Sequence, residues 1–295
     1  MYKIAIIGAG PAGMAAALQL KRCEVDFIWF EKKSIGGLLK NANCVDNYLG
    51  LPLIKGIELI NCYNEHLKNY DIAPLFREVL CLDYDAVNKY FILQTNEKAY
   101  QAKSVIIASG TKPKLHPLIN ELPASLQLKC VYSIIPFLEQ SSEMFCGKIF
   151  AIIGAGDAAF DFALSMASFN NAVHIFIRNR ISAMPMLLKQ VRNSKNIFCH
   201  EYTELKVITE QPNDFLKLTF EKFDLNVHYL IAAIGREPMK DFCSSSVLAL
   251  EQELINKNLL FLIGDVRNGI YRQSSLAVGD GIAAAMSIVL NKGVM

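Results

Sequence analysis

The chain has 295 residues, enough for two domains, and a formal net charge of +2. This nearly neutral balance argues against the strong excess of positive charge that is typical of proteins that bind nucleic acids or anionic membranes. Hydrophobic residues make up 52% of the sequence, yet no apolar run reaches the roughly 18 uninterrupted residues of a transmembrane helix. We therefore expect no nucleic-acid or membrane partner and, because no targeting segment is recognisable, a cytoplasmic protein.

The N-terminal stretch predicts a strand, a glycine turn and a helix. Residues 3–7 are an apolar run typical of a buried parallel strand, residues 8–13 fit G-x-G-x-x-G, and residues 14–20 predict the helix. A second strand, 26–30, precedes an acid suited to hold a ribose hydroxyl. The glycines and the downstream acid argue against a signal peptide, the alternative for this stretch. The predicted dinucleotide site comprises Gly8, Gly10, Pro11, Ala12, Gly13 and Glu31.

The same fingerprint occurs a second time. Residues 148–153 predict a strand, and residues 154–159 repeat the turn with alanine in place of the third glycine. The next strand, 173–177, is followed by arginines and by no acid until Glu201, which favours NADPH because guanidinium groups suit a 2′-phosphate. The alternative is an ordinary solvated basic turn. The predicted second site comprises Gly154, Gly156, Asp157, Ala158, Arg178 and Arg180.

Two buried strands that end in glycine, 104–110 and 230–235, predict where the chain crosses between domains. Pro113 and Pro238 follow them, and a proline cannot continue strand pairing. The sequence therefore predicts an α/β fold with two Rossmann-like nucleotide-binding domains, the second inserted into the first. The first domain is expected to comprise residues 1–113 and 238–295, and the second residues 114–237.

The last part of the chain predicts ligand contacts at the end of one more strand. After the strand at 259–263, Asp265 could accept hydrogen bonds from ligand hydroxyls, although a turn or cap role is the alternative. A helix rich in small residues begins at Ser274, and its positive end could stabilise a negative ring edge.

The eight cysteines give neither a C-x-x-C pair nor a zinc-like spacing with histidine. No metal site is therefore expected. In a cytosolic enzyme such cysteines are mostly small, buried, reduced residues.

Together these motifs resemble the low-molecular-weight thioredoxin reductases and the ferredoxin–NADP reductases of thioredoxin-reductase type, over nearly the whole chain. The resemblance rests on both fingerprints and on residues 36–39, 46–48, 108–110, 264–265 and 271–273. It implies FAD in the discontinuous domain, NADPH in the insertion, domain rotation and a homodimer. It also implies that Glu31 holds the adenosine ribose and Asp265 the ribitol. The further flavin-site residues that it implies are Gly36, Gly37, Leu38, Leu39, Asn47, Ala108, Gly110, Gly264, Gln273 and Ser274.

One departure from the family pattern changes the expected activity. Thioredoxin reductases of the family carry a C-x-x-C pair just before the second fingerprint, where this chain has Cys130 alone. We therefore expect an NAD(P)H-dependent FAD oxidoreductase without a redox dithiol, whose acceptor is ferredoxin, flavodoxin or a small oxidant. No catalytic acid or base is expected, and His174 is expected to be a packing residue. The alternatives are an atypical thioredoxin or disulfide reductase using Cys44 or Cys130 with a second thiol, and a flavin-binding protein without turnover.

Overall fold

The computed structural model describes residues 1–140 and 144–291, which form two compact units. The first unit contains residues 1–40, 45–112 and those from 237 onward, and the second contains residues 41–44 and 113–236. The predicted domain bounds include residues 141–143 and 292–295, which lie outside the described residues.

The strands, in chain order, are β1 (Tyr2–Ile7), β2 (Phe27–Glu31), β3 (Leu75–Phe76), β4 (Val79–Asp85), β5 (Tyr90–Thr95), β6 (Ala99–Ile107), β7 (Thr111–Pro113), β8 (Cys130–Val131), β9 (Ile149–Ile153), β10 (Ala172–Ile177), β11 (Ile197–Glu201), β12 (Val207–Gln211), β13 (Phe215–Thr219), β14 (Asp224–Val227), β15 (Tyr229–Ala232), β16 (Arg236–Pro238) and β17 (Leu260–Leu262). The α-helices are α1 (Pro11–Arg22), α2 (Gly56–Lys68), α3 (Pro117–Asn120), α4 (Ala124–Gln127), α5 (Ile135–Leu138), α6 (Asp157–Ala167), α7 (Pro185–Asn193), α8 (Ser245–Ala249), α9 (Glu251–Asn256) and α10 (Ser274–Asn291). Short 3-10 helices span Gly37–Asn41 and Gly264–Val266.

The sheet of the first unit has the order β3-β2-β1-β6-β5-β4, and β17 also pairs with β6. The strands β3, β2, β1, β6 and β17 are parallel, whereas β4 and β5 form an antiparallel extension. Because β1 is paired on both sides and covered by helices, it reads as a continuous apolar run, and Ile4, Ala5 and Ile6 are fully buried. The helices α1 and α10 pack closely: a Cβ on Gly281 would overlap the carbonyl oxygen of Ala12.

The second unit contains a parallel five-stranded sheet in the order β11-β10-β9-β15-β8 and a separate antiparallel sheet, β12-β13-β14. The helix α6 connects β9 to β10, and its Phe160 and Ala163 are fully buried against the parallel sheet. Each unit thus has strand, glycine turn, helix and parallel strand in sequence, which confirms the predicted α/β fold with Rossmann-like units.

Two details differ from the sequence prediction. Residues 41–44 were expected in the first domain but belong to the second unit, because the Asn41 side chain accepts hydrogen bonds from Ser133 Oγ at 2.7 Å and from the Ile134 N–H at 3.2 Å. After the two buried strands the chain continues into short strands that were not predicted: Pro113 and Pro238 are the last residues of β7 and β16, which form a two-stranded sheet with each other. Proline is tolerated there because each strand is an edge strand.

Among the helices that the structure describes, none combines the length and the apolar composition needed to cross a membrane.

Candidate dinucleotide-binding sites

The turn after β1 brings the backbone of three segments into close contact. Gly8 has a φ of +104°, a conformation that residues with a Cβ rarely adopt, and its N–H donates to the Phe30 carbonyl oxygen at 2.8 Å. A Cβ on Gly8 would overlap the Ala108 carbonyl oxygen, and a Cβ on Gly13 would overlap the Gly8 carbonyl oxygen. The first and third glycines are therefore required by packing of the protein on itself.

The second glycine differs from the other two because it faces open space. No atom lies within 4 Å of the position that a Cβ on Gly10 would take. Gly10 caps α1 with no side-chain hydrogen bond, Pro11 begins the helix, and the first turn contains no acidic residue. Since the first N–H groups of a helix have no intrahelical acceptor, those of Ala12 and Gly13 can donate to a phosphate placed beside Gly10.

The acid at the end of β2 lies against this turn, as the fingerprint predicts. Glu31 accepts hydrogen bonds from the Ala9 N–H through Oε2 and from the Lys33 N–H through Oε1, both at 2.8 Å. These contacts orient the half-buried carboxylate beside the turn. A carboxylate in this position can accept hydrogen bonds from the hydroxyls of a ribose.

Two further glycines, Gly36 and Gly37, lie against this turn. The Gly36 N–H donates to the Ala9 carbonyl oxygen at 2.8 Å, and a Cβ on Gly36 would lie 2.5 Å from Ile60 Cδ1. A Cβ on Gly37 would lie 3.4 Å from Gly10 Cα. Leu38 and Leu39 continue in the short 3-10 helix and are half-buried. The structure thus places residues 36–39 next to the first fingerprint, so both can line one ligand.

Side chains from three distant stretches of sequence meet at the start of α10. Asn47 Nδ2 donates to Gln273 Oε1 at 2.6 Å, and the hydroxyl groups of Tyr63 and Ser274 are 3.1 Å apart. The ring of Tyr48 packs edge-on against Tyr63 with centroids 6.2 Å apart. Burial raises the pKa of Tyr63 well above its usual value, so its hydroxyl stays protonated and can donate. Asn47, Gln273 and Ser274 are therefore brought together.

The strand ends of β6 and β17 complete this edge of the sheet. The Ala108 N–H donates to the Ile7 carbonyl oxygen at 2.8 Å, and Gly110 follows as a half-buried residue. Asp265 lies in the 3-10 helix that follows β17, next to Gly264, whose Cβ would lie 2.9 Å from Ala12 Cβ. The backbone next to Asp265 therefore lies close to the start of α1.

In the second unit, the glycines of the turn after β9 have the same surroundings as those of the turn after β1. A Cβ on Gly154 would lie 2.6 Å from the Ala233 carbonyl oxygen, so that glycine is required by packing. A Cβ on Gly156, the cap of α6, would meet only Ser182 Oγ, at 3.7 Å. Ala158, in the first turn of α6, is exposed. The N-terminal N–H groups of α6 can therefore reach a pyrophosphate.

The segment after β10 folds over this second turn. The Ser182 N–H donates to the Ala155 carbonyl oxygen at 2.8 Å, and the Met184 N–H donates to Asp157 Oδ1 at 2.7 Å. Arg178 and Arg180 begin this segment and are both exposed. Their guanidinium groups are accessible to an anionic ligand that lies along the carboxyl edge of the sheet.

Sequence reasoning missed several residues that support these sites. Trp29 Nε1 donates to the Gly8 carbonyl oxygen at 2.9 Å, and Asp280 Oδ2 accepts from the Gly264 N–H at 3.0 Å. Asp280 is an acidic residue inside a helix of small residues, and this pattern could have identified it. No sequence pattern around Tyr63 predicts its hydrogen bond with Ser274. His174 was expected only to pack; its ring stacks on Phe198 and its Nδ1 also lies 3.0 Å from Nε2 of His200.

In the described part of the chain, no group of three or more histidine, cysteine, aspartate or glutamate side chains is arranged to hold a metal ion. The eight cysteines all lie in that part, and none forms a disulfide.

Comparison with known proteins agrees with this geometry. The profile of the pyridine nucleotide-disulphide oxidoreductase family matches residues 2–281. The thioredoxin reductase of Bacillus subtilis is 26% identical over 305 residues, which cover 98% of this chain and 94% of that protein. A 34.2 kDa protein in the rubredoxin operon of Clostridium pasteurianum is 25% identical, over 96% of this chain and 94% of its own length.

A solved structure extends the comparison to the fold. The thioredoxin reductase of Lactococcus lactis in its FR conformation has a TM-score of 0.83 at 23% identity, covering 100% of this chain and 99% of that one. Thioredoxin reductases use FAD and NADPH, which confirms the predicted cofactor pair at the level of the family. The chain belongs to the pyridine nucleotide-disulphide oxidoreductase family, as a thioredoxin reductase-like flavoprotein.

Proposed function

We propose that this NAD(P)H-dependent oxidoreductase passes electrons from NADPH through FAD to ferredoxin, flavodoxin or a small oxidant, without a redox dithiol. The observation that carries the proposal is the lack of a C-x-x-C pair among the eight cysteines. A flavin reduces a disulfide by way of a thiolate pair held beside it, and this chain has Cys130 alone where the thioredoxin reductases that it resembles carry two cysteines.

The state of Cys130 supports this proposal. Its side chain is buried at the start of the second unit's edge strand β8, and burial raises the pKa of its thiol to about 11. At neutral pH it is therefore an uncharged thiol, whereas the thiolate is the reactive form in disulfide exchange. Cys130 fits a packing role.

We propose that FAD is held by the expected first domain, residues 1–113 and 238 onward, which differs from the first unit at residues 41–44, 113 and 237. The pyrophosphate would lie beside Gly10, which leaves room for it, and would accept hydrogen bonds from the start of α1. Glu31 would hold the adenosine ribose and Asp265 the ribitol. The polar groups of Asn47, Gln273 and Ser274 would orient the ring at the positive end of α10.

We propose that NADPH is held by the expected second domain, residues 114–237, which includes most of the second unit, through the same kind of turn. Gly156 and the start of α6 would bind the pyrophosphate, and Asp157 would keep the covering segment in place through the Met184 N–H. Arg178 and Arg180 would bind the 2′-phosphate, because an exposed guanidinium group can donate two hydrogen bonds to it at once.

The proposed chemistry needs no acid or base from the protein. When bound, FAD supplies the acceptor of a hydride from the nicotinamide and the donor of electrons to the final acceptor. The residues above bind and orient the two nucleotides. A homodimer, domain rotation and a cytoplasmic location stay predictions from the family resemblance.

A second candidate function is a disulfide reductase that uses Cys44. Several relatives are named thioredoxin reductase, and Cys44 is exposed, in the short stretch between the proposed flavin-lining residues 36–39 and Asn47. An exposed cysteine can form a mixed disulfide with a substrate, whereas Cys130 is too buried to do so.

An acceptor screen separates these two functions. Under steady NADPH oxidation, we expect turnover with ferredoxin, flavodoxin or a small quinone-like oxidant at least ten-fold above that with oxidised thioredoxin or low-molecular-weight disulfides. The measurement is kcat/KM for each acceptor. Faster turnover with a disulfide than with every electron carrier would contradict the proposal.

The variant Cys44→Ser, measured in the same screen, tests whether Cys44 takes part in turnover. If the chain works without thiols, the variant keeps its full rate with the preferred acceptor. If the preferred acceptor is a disulfide and the variant loses ten-fold or more of its turnover, the disulfide reductase function is supported instead. The exposed Cys146→Ser serves as a control for the general effect of replacing a thiol.

A further inference from the structure

The segment that follows β11 brings an acidic residue, Glu204, to the proposed 2′-phosphate site. The strand β11 runs parallel to β10, with Glu201 opposite Ile177. The chain then stays beside the end of β10, because the Thr203 N–H donates to the Ile177 carbonyl oxygen at 3.0 Å. The next residue, Glu204, places its Oε1 at 4.0 Å from Nη1 of Arg178.

The carboxylate of Glu204 is ionised at neutral pH. A hydrogen bond from Lys206, together with the charges of Lys206 and Arg178, lowers its pKa below the usual value. The side chains of Arg178 and Glu204 are 71% and 48% exposed, so the pair is solvated and contributes little to stability. Its members can exchange partners when an anion arrives.

One further titratable group faces the pair. His116 belongs to the segment between β7 and α3, and burial and the positive charge of Arg178 lower the pKa of its ring below the usual value. Its backbone N–H donates to the hydroxyl of Tyr132 at 2.9 Å, which fixes its position. His116 is therefore neutral near pH 7, and the cations that face Glu204 are Arg178, at Oε1, and Lys206, which pairs with Oε2.

We infer that Glu204 is a specificity-determining residue that lowers the preference for NADPH over NADH. This inference rests on the proposed NADPH site. Glu204 and a 2′-phosphate would compete for the same guanidinium group, and their negative charges would repel each other. NADH has a 2′-hydroxyl in place of the phosphate. In NAD sites a carboxylate accepts a hydrogen bond from that hydroxyl.

The experiment measures binding of the adenosine half of each nucleotide to the flavin-containing protein. Isothermal titration with 2′,5′-ADP and with ADP needs no electron transfer, so it does not depend on the acceptor. For Glu204→Gln we expect binding of 2′,5′-ADP to tighten about five-fold and binding of ADP to stay equal or weaken. Glu210→Gln, the same charge change at an exposed residue of β12, should alter neither.

A double variant tests whether the effect passes through Arg178. In the Arg178→Met background, we expect Glu204→Gln to tighten 2′,5′-ADP binding less than two-fold. The gain in the single variant should also shrink at 0.5 M salt, because exposed charges are screened over a few ångströms there.

The outcomes are distinct. If the wild-type protein binds neither nucleotide, the proposed NADPH site fails and the inference with it. If 2′,5′-ADP binds and Glu204→Gln leaves its affinity within two-fold of wild type, or if the gain is equally large without Arg178, the inference alone is overturned.

Discussion

Replacing Gly10 with alanine is expected to weaken FAD binding ten-fold or more while leaving the apoprotein folded. The new methyl group would project into open space, in a backbone conformation that alanine adopts freely, so the protein itself accommodates it. It would occupy the surface that the pyrophosphate must approach, and a misplaced methyl group in a close-packed contact costs roughly 1–3 kcal/mol. The measurement is the dissociation constant of FAD by fluorescence quenching, with the melting temperature of the apoprotein beside it.

Gly13→Ala is the matched variant, with the same added atom three residues later. Its Cβ would overlap the carbonyl oxygen of Gly8, which is backbone and cannot move aside. We expect this variant to lower the free energy of unfolding of the apoprotein by about 3 kcal/mol and to lose FAD as a consequence. If Gly10→Ala unfolded the apoprotein, or if Gly13→Ala left its melting temperature unchanged, the assigned roles of the two glycines would be wrong.

Asp161→Asn is expected to stabilise the protein at pH 7.5 by roughly 2 kcal/mol, because it removes a carboxylate whose pKa is raised in the folded state. Asp161 lies on α6, and burial, with a smaller contribution from the charge of Asp157, raises the pKa of its carboxyl to about 6. Its Oδ2 accepts one hydrogen bond, from the Asn43 N–H at 3.1 Å, which compensates the burial only in part. Asparagine keeps an acceptor oxygen at that position and removes the buried charge.

The pH dependence follows from the direction of this shift. In the unfolded chain Asp161 loses its proton near pH 4, whereas in the folded protein it does so near pH 6. The folded state is therefore penalised as pH rises through this interval, and the penalty is complete above about pH 6. Urea denaturation should show a difference between the variant and the wild type that is full at pH 7.5 and absent at pH 4. A difference that is independent of pH would show that the stabilisation has another origin.

The two nucleotide turns could be predicted from the sequence because each is encoded within about 30 consecutive residues. The strand, the glycines, the helix and the next strand follow one another, and the structure places them with α1 beginning at Pro11 and α6 at Asp157. The antiparallel sheet β12-β13-β14 and the short helices α3–α5 were not predicted, because their segments are too short for a periodic pattern to stand out.

Contacts between residues far apart in the chain could not be predicted in the same way. Glu204 comes to Arg178 only because β11 pairs with β10, and Tyr63 comes to Ser274 across 211 positions. Residues 41–44 belong to the second unit because of hydrogen bonds to the side chain of Asn41. No sequence pattern around Asn41 predicts these hydrogen bonds. These contacts are set by strand register and tertiary packing, to which local propensity gives no access.

The absence of a redox dithiol is tested most directly by counting electrons. An anaerobic titration of the purified flavoprotein with dithionite, followed by the visible absorbance of the flavin, gives the number of electrons taken up per flavin. We expect complete reduction after two electrons per flavin, because in the absence of a redox disulfide the flavin is the group that accepts them. The number of free thiols should be the same before and after the titration. Uptake of four electrons per flavin, with two new thiols appearing, would show a redox-active disulfide and contradict the proposed function.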